Sequence, residues 1–151
     1  MTTMISGSQL RTVLLGNRVS KATGTLTAAT VSLFTVTGGK VLITSIVGQV
    51  TTAITVANSY KLQANPTTGT VADLVAATDI GTTDTPVGSL LGFTGVAADS
   101  ITQGPGAVPT LQRPIAVNTG GIEHVSAGTD GAITWTLTYV PLDDGAAVAA
   151  A

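Results

Sequence analysis

Along residues 132–140 the apolar Ile133, Trp135, Leu137 and Tyr139 alternate one by one with Thr134, Thr136 and Thr138. Successive side chains of a strand point to opposite faces, so this segment predicts a strand with one apolar face and one threonine face. Thr129-Asp130-Gly131 precedes it and carries the Asp-Gly signal of a tight hairpin turn, with residues 125–127 as part of the partner strand. Gly38-Gly39 predicts a second hairpin, between residues 30–37 and a long arm at 41–57. In that arm Leu42, Ile46, Val50, Ile54 and Val56 share one parity. Their spacing of four also suits a helix, but the Thr, Val and Ile content and the mid-segment Gly48 favour a strand, bent or bulged at Gly48. In the first arm Val31 and Leu33 give way to Phe34 and Val36, a parity switch that calls for a bulge or for burial on both faces.

Tyr60, Leu62 and Ala64 alternate with Lys61 and Gln63 and stop at the turn Asn65-Pro66-Thr67-Thr68-Gly69. Residues 71–80 are ambiguous, with Asp73 a candidate cap for a short helical turn through 74–77. From 81 to 114 four prolines and several glycines predict loops around one short strand near 89–94, with an excursion at 95–114. Residues 115–117 and 122–125, either side of Gly120-Gly121, read as another short pair, and Pro141-Leu142-Asp143-Asp144-Gly145 ends the last strand. Residues 1–20 are an N-terminal arm or edge segment and 146–151 a small-residue tail. No linker or internal repeat divides the chain, so the expectation is one all-β domain spanning 1–151: an antiparallel sandwich, jelly roll or barrel with long Pro/Gly-rich loops. The runner-up is a sheet decorated by one short helix near 71–78.

Composition narrows the functional classes. Only 9% of residues are charged against 44% hydrophobic, and 28 Thr and 20 Ala accompany 18 Gly. A surface of that kind is built from neutral polar groups, which suits close subunit contacts that desolvate few ions. Arg11, Arg18, Lys21, Lys40, Lys61 and Arg113 are scattered along a chain of net charge -2, leaving no basic stripe for a phosphate backbone and no expectation of nucleic-acid binding. There is no cysteine, hence no disulfide framework and no thiolate site. Residues 1–20 lack the pattern of a signal peptide, and no run of apolar residues is long enough to predict a membrane helix.

Candidate chemistry is sparse. His124 is the only histidine and reads as a surface or oligomer-interface residue, with Glu123 on the opposite strand face. Asp143 and Asp144 could form a carboxylate pair but fit a turn; Asp79 and Asp84 could offer oxygens to calcium but lack the alternating carboxylates of a dedicated loop. Gly104-Pro105-Gly106 opens no phosphate-binding fingerprint, and Ser89 lacks the glycine that a nucleophile elbow needs. Trp135 and Tyr139 could form a sugar-stacking platform but share parity with Ile133 and Leu137, which predicts core packing. Thr134, Thr136 and Thr138 could pair with another strand, coat a solvent face or meet a second subunit. No catalytic residue, cofactor site or metal site is assigned, and a non-enzymatic binding or structural role is expected.

The run from Gly131 to Ala146, with the stretch from Leu33 to Thr44 and Asn65-Pro66-Thr67-Thr68-Gly69, resembles small proteins encoded among the virion genes of tailed bacteriophages. The resemblance implies a virion structural protein, first a head decoration or cement protein bound to the major capsid protein, alternatively a tail or head-tail connector component. It supplies no catalytic residue. The 9% charge content separately leads to the expectation of a homo-oligomer, with a trimer favoured because capsid decorations often occupy threefold positions, and with attachment carried by the chain ends and the 95–114 excursion. A carbohydrate-binding or adhesin module is the rival from another class, and a hydrolase using Glu123, Asp143 or Asp144 a distant third.

Overall fold

The computed structural model describes residues 4–151; of the expected N-terminal arm, residues 1–3 lie outside that range. One helix, α1 (Gly7–Leu15), precedes twelve strands: β1 (Asn17–Ala22), β2 (Ala29–Thr37), β3 (Val41–Thr52), β4 (Ser59–Pro66), β5 (Ala72–Asp73), β6 (Thr78–Asp79), β7 (Leu90–Gly92), β8 (Thr102–Gly104), β9 (Ile115–Val117), β10 (Gly120–Ser126), β11 (Ala132–Pro141) and β12 (Ala147–Ala150). They form two antiparallel sheets, ordered β1-β11-β3-β7-β8 with β9 also on β3, and β12-β2-β10-β4-β5 with β6 also on β4. The chain therefore runs out through β1, β2, β3 and β4 in alternating sheets, and its second half returns along it. β1 pairs with β11, β2 with β10, β3 with β7 and β9, and β4 with β5 and β6. A long antiparallel ribbon rolled up in this way is a jelly roll, here extended by β12 alongside β2. The all-β sandwich expected from the alternation is what forms; neither sheet closes into a barrel.

The β11 pattern holds residue by residue: Ile133, Trp135 and Leu137 are fully buried and Tyr139 nearly so, while the three threonines are half-buried on the outer face. Thr136 bonds Ser20 of β1 at 2.8 Å and Thr138 bonds Thr44 of β3 at 2.8 Å, so the threonine ladder ties together strands of its own sheet. The parity switch in β2 is a bulge. Ile122 pairs with Phe34 and Glu123 with Ser32, leaving Leu33 extra, and both Leu33 and Phe34 are buried.

Five expectations change. The glycine turns at 38–39 and 129–131 and the step at 118–119 are not hairpins: each carries the chain from one sheet to the other, so β2 and β3, β10 and β11, and β9 and β10 are not paired. Glycine supplies the positive φ (Gly38 74°, Gly39 143°, Gly131 78°), but Asp130 stays at negative φ, so the two-residue Asp-Gly hairpin cannot form. Gly48 carries no bulge; it pairs in register with Trp135, and a Cβ there would stand 3.0 Å from Cη2 of that indole. The irregularities in this ladder lie at either end of β11, by Ala132/Ile133 and Thr138/Tyr139. Residues 74–77 form no helical turn, since Asp73 is in β5 and the Leu74 amide is spent on the Leu62 carbonyl of β4. The expected arm at 1–20 contains α1 and the start of edge strand β1, and the excursion at 95–114 contains β8, which pairs with β7.

The last change concerns the tail. Residues 147–150 form β12 on β2, with Ala146 and Val148 buried against the core, so a variant ending at Gly145 should lose stability, not merely affinity. Burying one valine is worth about 1.5–3 kcal/mol, and urea unfolding should show a loss of at least about 2 kcal/mol. Trp135→Ala should cost about 3–5 kcal/mol, whereas Thr136→Val, on the outer face, should stay within about 1 kcal/mol of wild type in the same titration. Equal large losses from both would contradict the two-faced strand.

Candidate assembly surface

A strand that leaves one sheet for the other gives up its neighbour, and its amides need new acceptors. Side chains supply them. Asp143 accepts the Lys40 amide at 2.7 Å where β2 passes into β3, and its carboxylate also pairs with the Lys40 ammonium at 2.9 Å. Asp130 accepts the Thr55 amide and hydroxyl, both at 2.8 Å, where β3 passes toward β4. Asn58 Oδ1 takes the amides of Ala127 and Gly128 at 3.0 and 2.9 Å and the Ser126 hydroxyl at 3.1 Å where β10 leaves for β11. Asp79 accepts the amides of Asn58, Gly81 and Thr82 and the Thr82 hydroxyl.

These bonds hold the carboxyls below their ordinary range: Asp79 chiefly through the Thr82 hydroxyl and then the amides, Asp130 through the Thr55 amide and hydroxyl, Asp143 through the Lys40 amide and then its ammonium. Of the aspartates singled out as turn or calcium candidates, Asp79 and Asp143 are thus acceptors for the crossings, while Asp144 is exposed in the turn after β11. Asp84 is exposed on the lip of a cleft of about 340 Å³ that Asp79, Thr82, Ser89, Gln103 and the Gly104-Pro105 turn also line. Ser89 is buried, and its amide and carbonyl serve the adjoining turn and strand. Glu123 does face away from His124, accepting from Gln63 at 2.8 Å and Asn65 at 2.9 Å, and it shares no hydrogen-bond partner with Asp143 or Asp144. Among the described residues no three His, Cys, Asp or Glu side chains gather as a metal-binding group.

His124 is a core residue, contrary to the surface reading. Ile122, His124 and Ser126 alternate inward, and its ring stacks on Tyr60 with centroids 5.4 Å apart. Tyr60 in turn lies 6.2 Å from Trp135 across the sandwich, and the Trp135 indole N–H donates to the Tyr60 hydroxyl at 2.8 Å. Burial pushes the phenol up and the imidazole down to about 4. Neither imidazole nitrogen has a hydrogen-bond partner among the described residues, which favours the neutral ring further. Sequence could not assign His124 a side, because its strand mixes Gly, Glu, His and Ser at positions that alternation alone does not rank.

The exposed feature that sequence reading missed is α1. Ser6 caps it, accepting from the Gln9 amide at 3.3 Å while the Gln9 side chain accepts from the Ser6 amide at 2.8 Å; the Ser-x-x-Gln spacing was the available signal. No residue of α1 is buried, and Leu10, Val13, Leu14 and Leu15 are all exposed together with the preceding Ile5. The helix is attached at its C-terminal end, where the Leu15 carbonyl accepts from Thr44 at 2.9 Å and Gly16 lies against the backbone of Tyr139. A capped helix, wholly outside the core, thus presents an apolar surface larger than a scattered exposed residue explains.

Compared with known proteins, the chain matches no family model, no curated protein and no solved structure.

His124 sets the pH response. Its folded-state pKa lies below the 6.5 of an unfolded imidazole, so the unfolded chain takes up the proton first as pH falls. Stability should drop by about 3 kcal/mol between pH 6.5 and 4, measured by urea unfolding across that range. His124→Leu should flatten that window, leaving only the losses at lower pH, where the three aspartates protonate in the folded state and release their amides.

Proposed function

We propose that this chain is a non-enzymatic structural subunit of a tailed-phage particle, a head decoration or cement protein that binds the capsid surface and its own copies. The observation that carries the reading is α1, a capped helix whose apolar side chains are exposed, with nothing covering them among the described residues. Such a surface marks a protein contact site. The jelly roll is a framework shared by capsid, lectin and cupin domains, so the fold alone does not choose among them. Against a lectin-like role, Trp135 and Tyr139 face the core and offer no platform for a sugar ring. The low charge and the neutral threonine face support repeated contact with neighbours in a lattice.

Phage particles purified from an expressing host by density gradient should contain the chain in many copies on the head, detected by mass spectrometry and by labelled antibody under the electron microscope. Its absence from particles would remove the proposal, and label on tails alone would move it to the connector or tail reading. A variant starting at Gly16, lacking α1, should unfold within about 1–2 kcal/mol of the full chain, since it gives up two hydrogen bonds, from Thr44 to the Leu15 carbonyl and from the Gly16 amide to the Thr12 carbonyl, and no buried side chain. It should nevertheless lose most of its binding to heads in a co-sedimentation assay.

A further inference from the structure

The cleft beside Asp84 opens where the two sheets part, between β8 of one sheet and β6 of the other. Gln103 of β8 stands in register with the buried Leu91 of β7 and so shares its inward face. Asp79 of β6 meets it from the other sheet, its carbonyl accepting from Gln103 Nε2 at 3.3 Å. Thr85, bridged to the buried Ile54 and only 2% exposed, holds Gln103 Oε1 at 2.8 Å. Ser89 lines the same cleft and is 6% exposed, yet its hydroxyl has no hydrogen-bond partner among the described residues. Unlike the His124 nitrogens and Asn58 Nδ2, this oxygen is not sealed from solvent, and the cleft is its opening. A nearly buried hydroxyl without a partner is costly unless something from outside the chain meets it.

The lining sorts the occupants. Asp79 and Asp84 stand in it with no Lys, Arg or His beside them, which repels an anion. A divalent metal fits no better. Asp79 already accepts from the amides of Asn58, Gly81 and Thr82 and from the Thr82 hydroxyl, about the four donors a carboxylate takes. That leaves Asp84 alone, far short of the roughly six to eight oxygens calcium needs. An organic ammonium calls for a carboxylate at depth, but Asp84 is on the exposed lip and the inner group is the Ser89 hydroxyl. A ligand with adjacent hydroxyls matches both: it donates to Asp84 and meets Ser89 Oγ, which can donate or accept. The exposed Pro86 and Pro105 add apolar surface for the C–H face of such a ring. The volume of about 340 Å³ lies at the small end of the range for small-molecule sites, about 300–1,000 Å³, the scale of a single sugar unit.

We propose that this cleft binds a neutral sugar, one pyranose unit whose neighbouring hydroxyls bridge Asp84 at the lip and Ser89 within. The site is separate from Trp135 and Tyr139, which the core claims, and from α1. It goes beyond the reading of the chain as a particle subunit and does not depend on it.

Amide chemical shifts of the isotope-labelled full chain, titrated in the presence of a chelator with the methyl glycosides of glucose, galactose, mannose and N-acetylglucosamine, test this. At least one glycoside should shift amides within residues 81–89 and 103–104, with a Kd of about 1–10 mM. Asp84→Asn and Ser89→Ala should each weaken that binding about fivefold or more. Ser89→Ala should leave the urea midpoint unchanged or raised, because its hydroxyl has no partner to lose; a lowered midpoint would mean a structural serine and count against the site. No binding of any of the four glycosides at about 100 mM would overturn the proposal. So would sugar binding undiminished in both variants, or shifts of the same amides by putrescine or calcium chloride and by no sugar. If Asp84→Asn fails to fold, Ser89→Ala and the location of the shifts decide. A glycan array separates the sources: array binding lost in Ser89→Ala means the end of a glycan chain, and glycoside binding with a silent array means a free sugar, both in support. Particle binding is scored separately, so failure here leaves the proposed function standing.

Discussion

Every time the chain passes from one sheet to the other, the amides of the turn lose the carbonyls that a neighbouring strand would have offered, and a buried amide without an acceptor is costly. The jelly roll makes that passage repeatedly, and the solution recurs: Asp143, Asp130 and Asn58 each hold the backbone of a crossing, and Asp79 holds the amide of Asn58 itself. Three of the eight carboxylate side chains this chain possesses, Asp79, Asp130 and Asp143, are spent in this way. Their positions are fixed by the topology, which explains why a chain with 9% charged residues keeps aspartate where it does.

Between the crossings the two sheets are joined through the centre of the core. Trp135 reaches from β11 to the hydroxyl of Tyr60 on β4, and Tyr60 stacks on His124 of β10. Gly48 leaves the space on β3 that the indole rim occupies. A polar contact in an apolar core is favourable only when its groups meet in a set geometry, so the pair fixes the lateral registration of one sheet over the other more tightly than aliphatic packing would. His124 is the exception, since its ring is buried with both nitrogens unpaired and contributes through stacking alone.

How much of this was legible before the structure varied with the kind of signal. Strict alternation in β11, the bulged parity switch in β2 and the turn at Asp143-Asp144 could all be read locally, because each depends only on neighbouring side chains. The crossings could not. Gly38-Gly39 and Asp130-Gly131 announce a reversal with positive φ, but whether the chain returns within the same sheet depends on what stands beyond it, here Lys40 with Asp143 and Thr55 with Asp130, residues 103 and 75 positions apart. β12 was hidden for another reason: alanine and a single valine carry almost no pattern, and the strand exists because β2 presents an open edge to it. The capping box of α1 was readable, but a short amphipathic stretch among threonines was outweighed by the overall β composition.

The rolled topology has a consequence for how the polypeptide acquires its shape. β1, at residues 17–22, finds its partner at residues 134–139, and β2 lies between β10 and β12. During synthesis the first third of the chain therefore leaves the ribosome as strands whose neighbours do not yet exist. Loop closure on that scale must be completed before the pairing energy is gained, which places the chain among slow folders with high contact order. Until the last strand emerges, the half-made sheets expose threonine-rich edges and the apolar face of β3, and a chain nearly devoid of charge has little repulsion with which to keep such intermediates apart. High-level expression in a cell thus calls for chaperone capture of the nascent chain, and the same scarcity of charge that suits close packing of finished subunits is a hazard for unfinished ones.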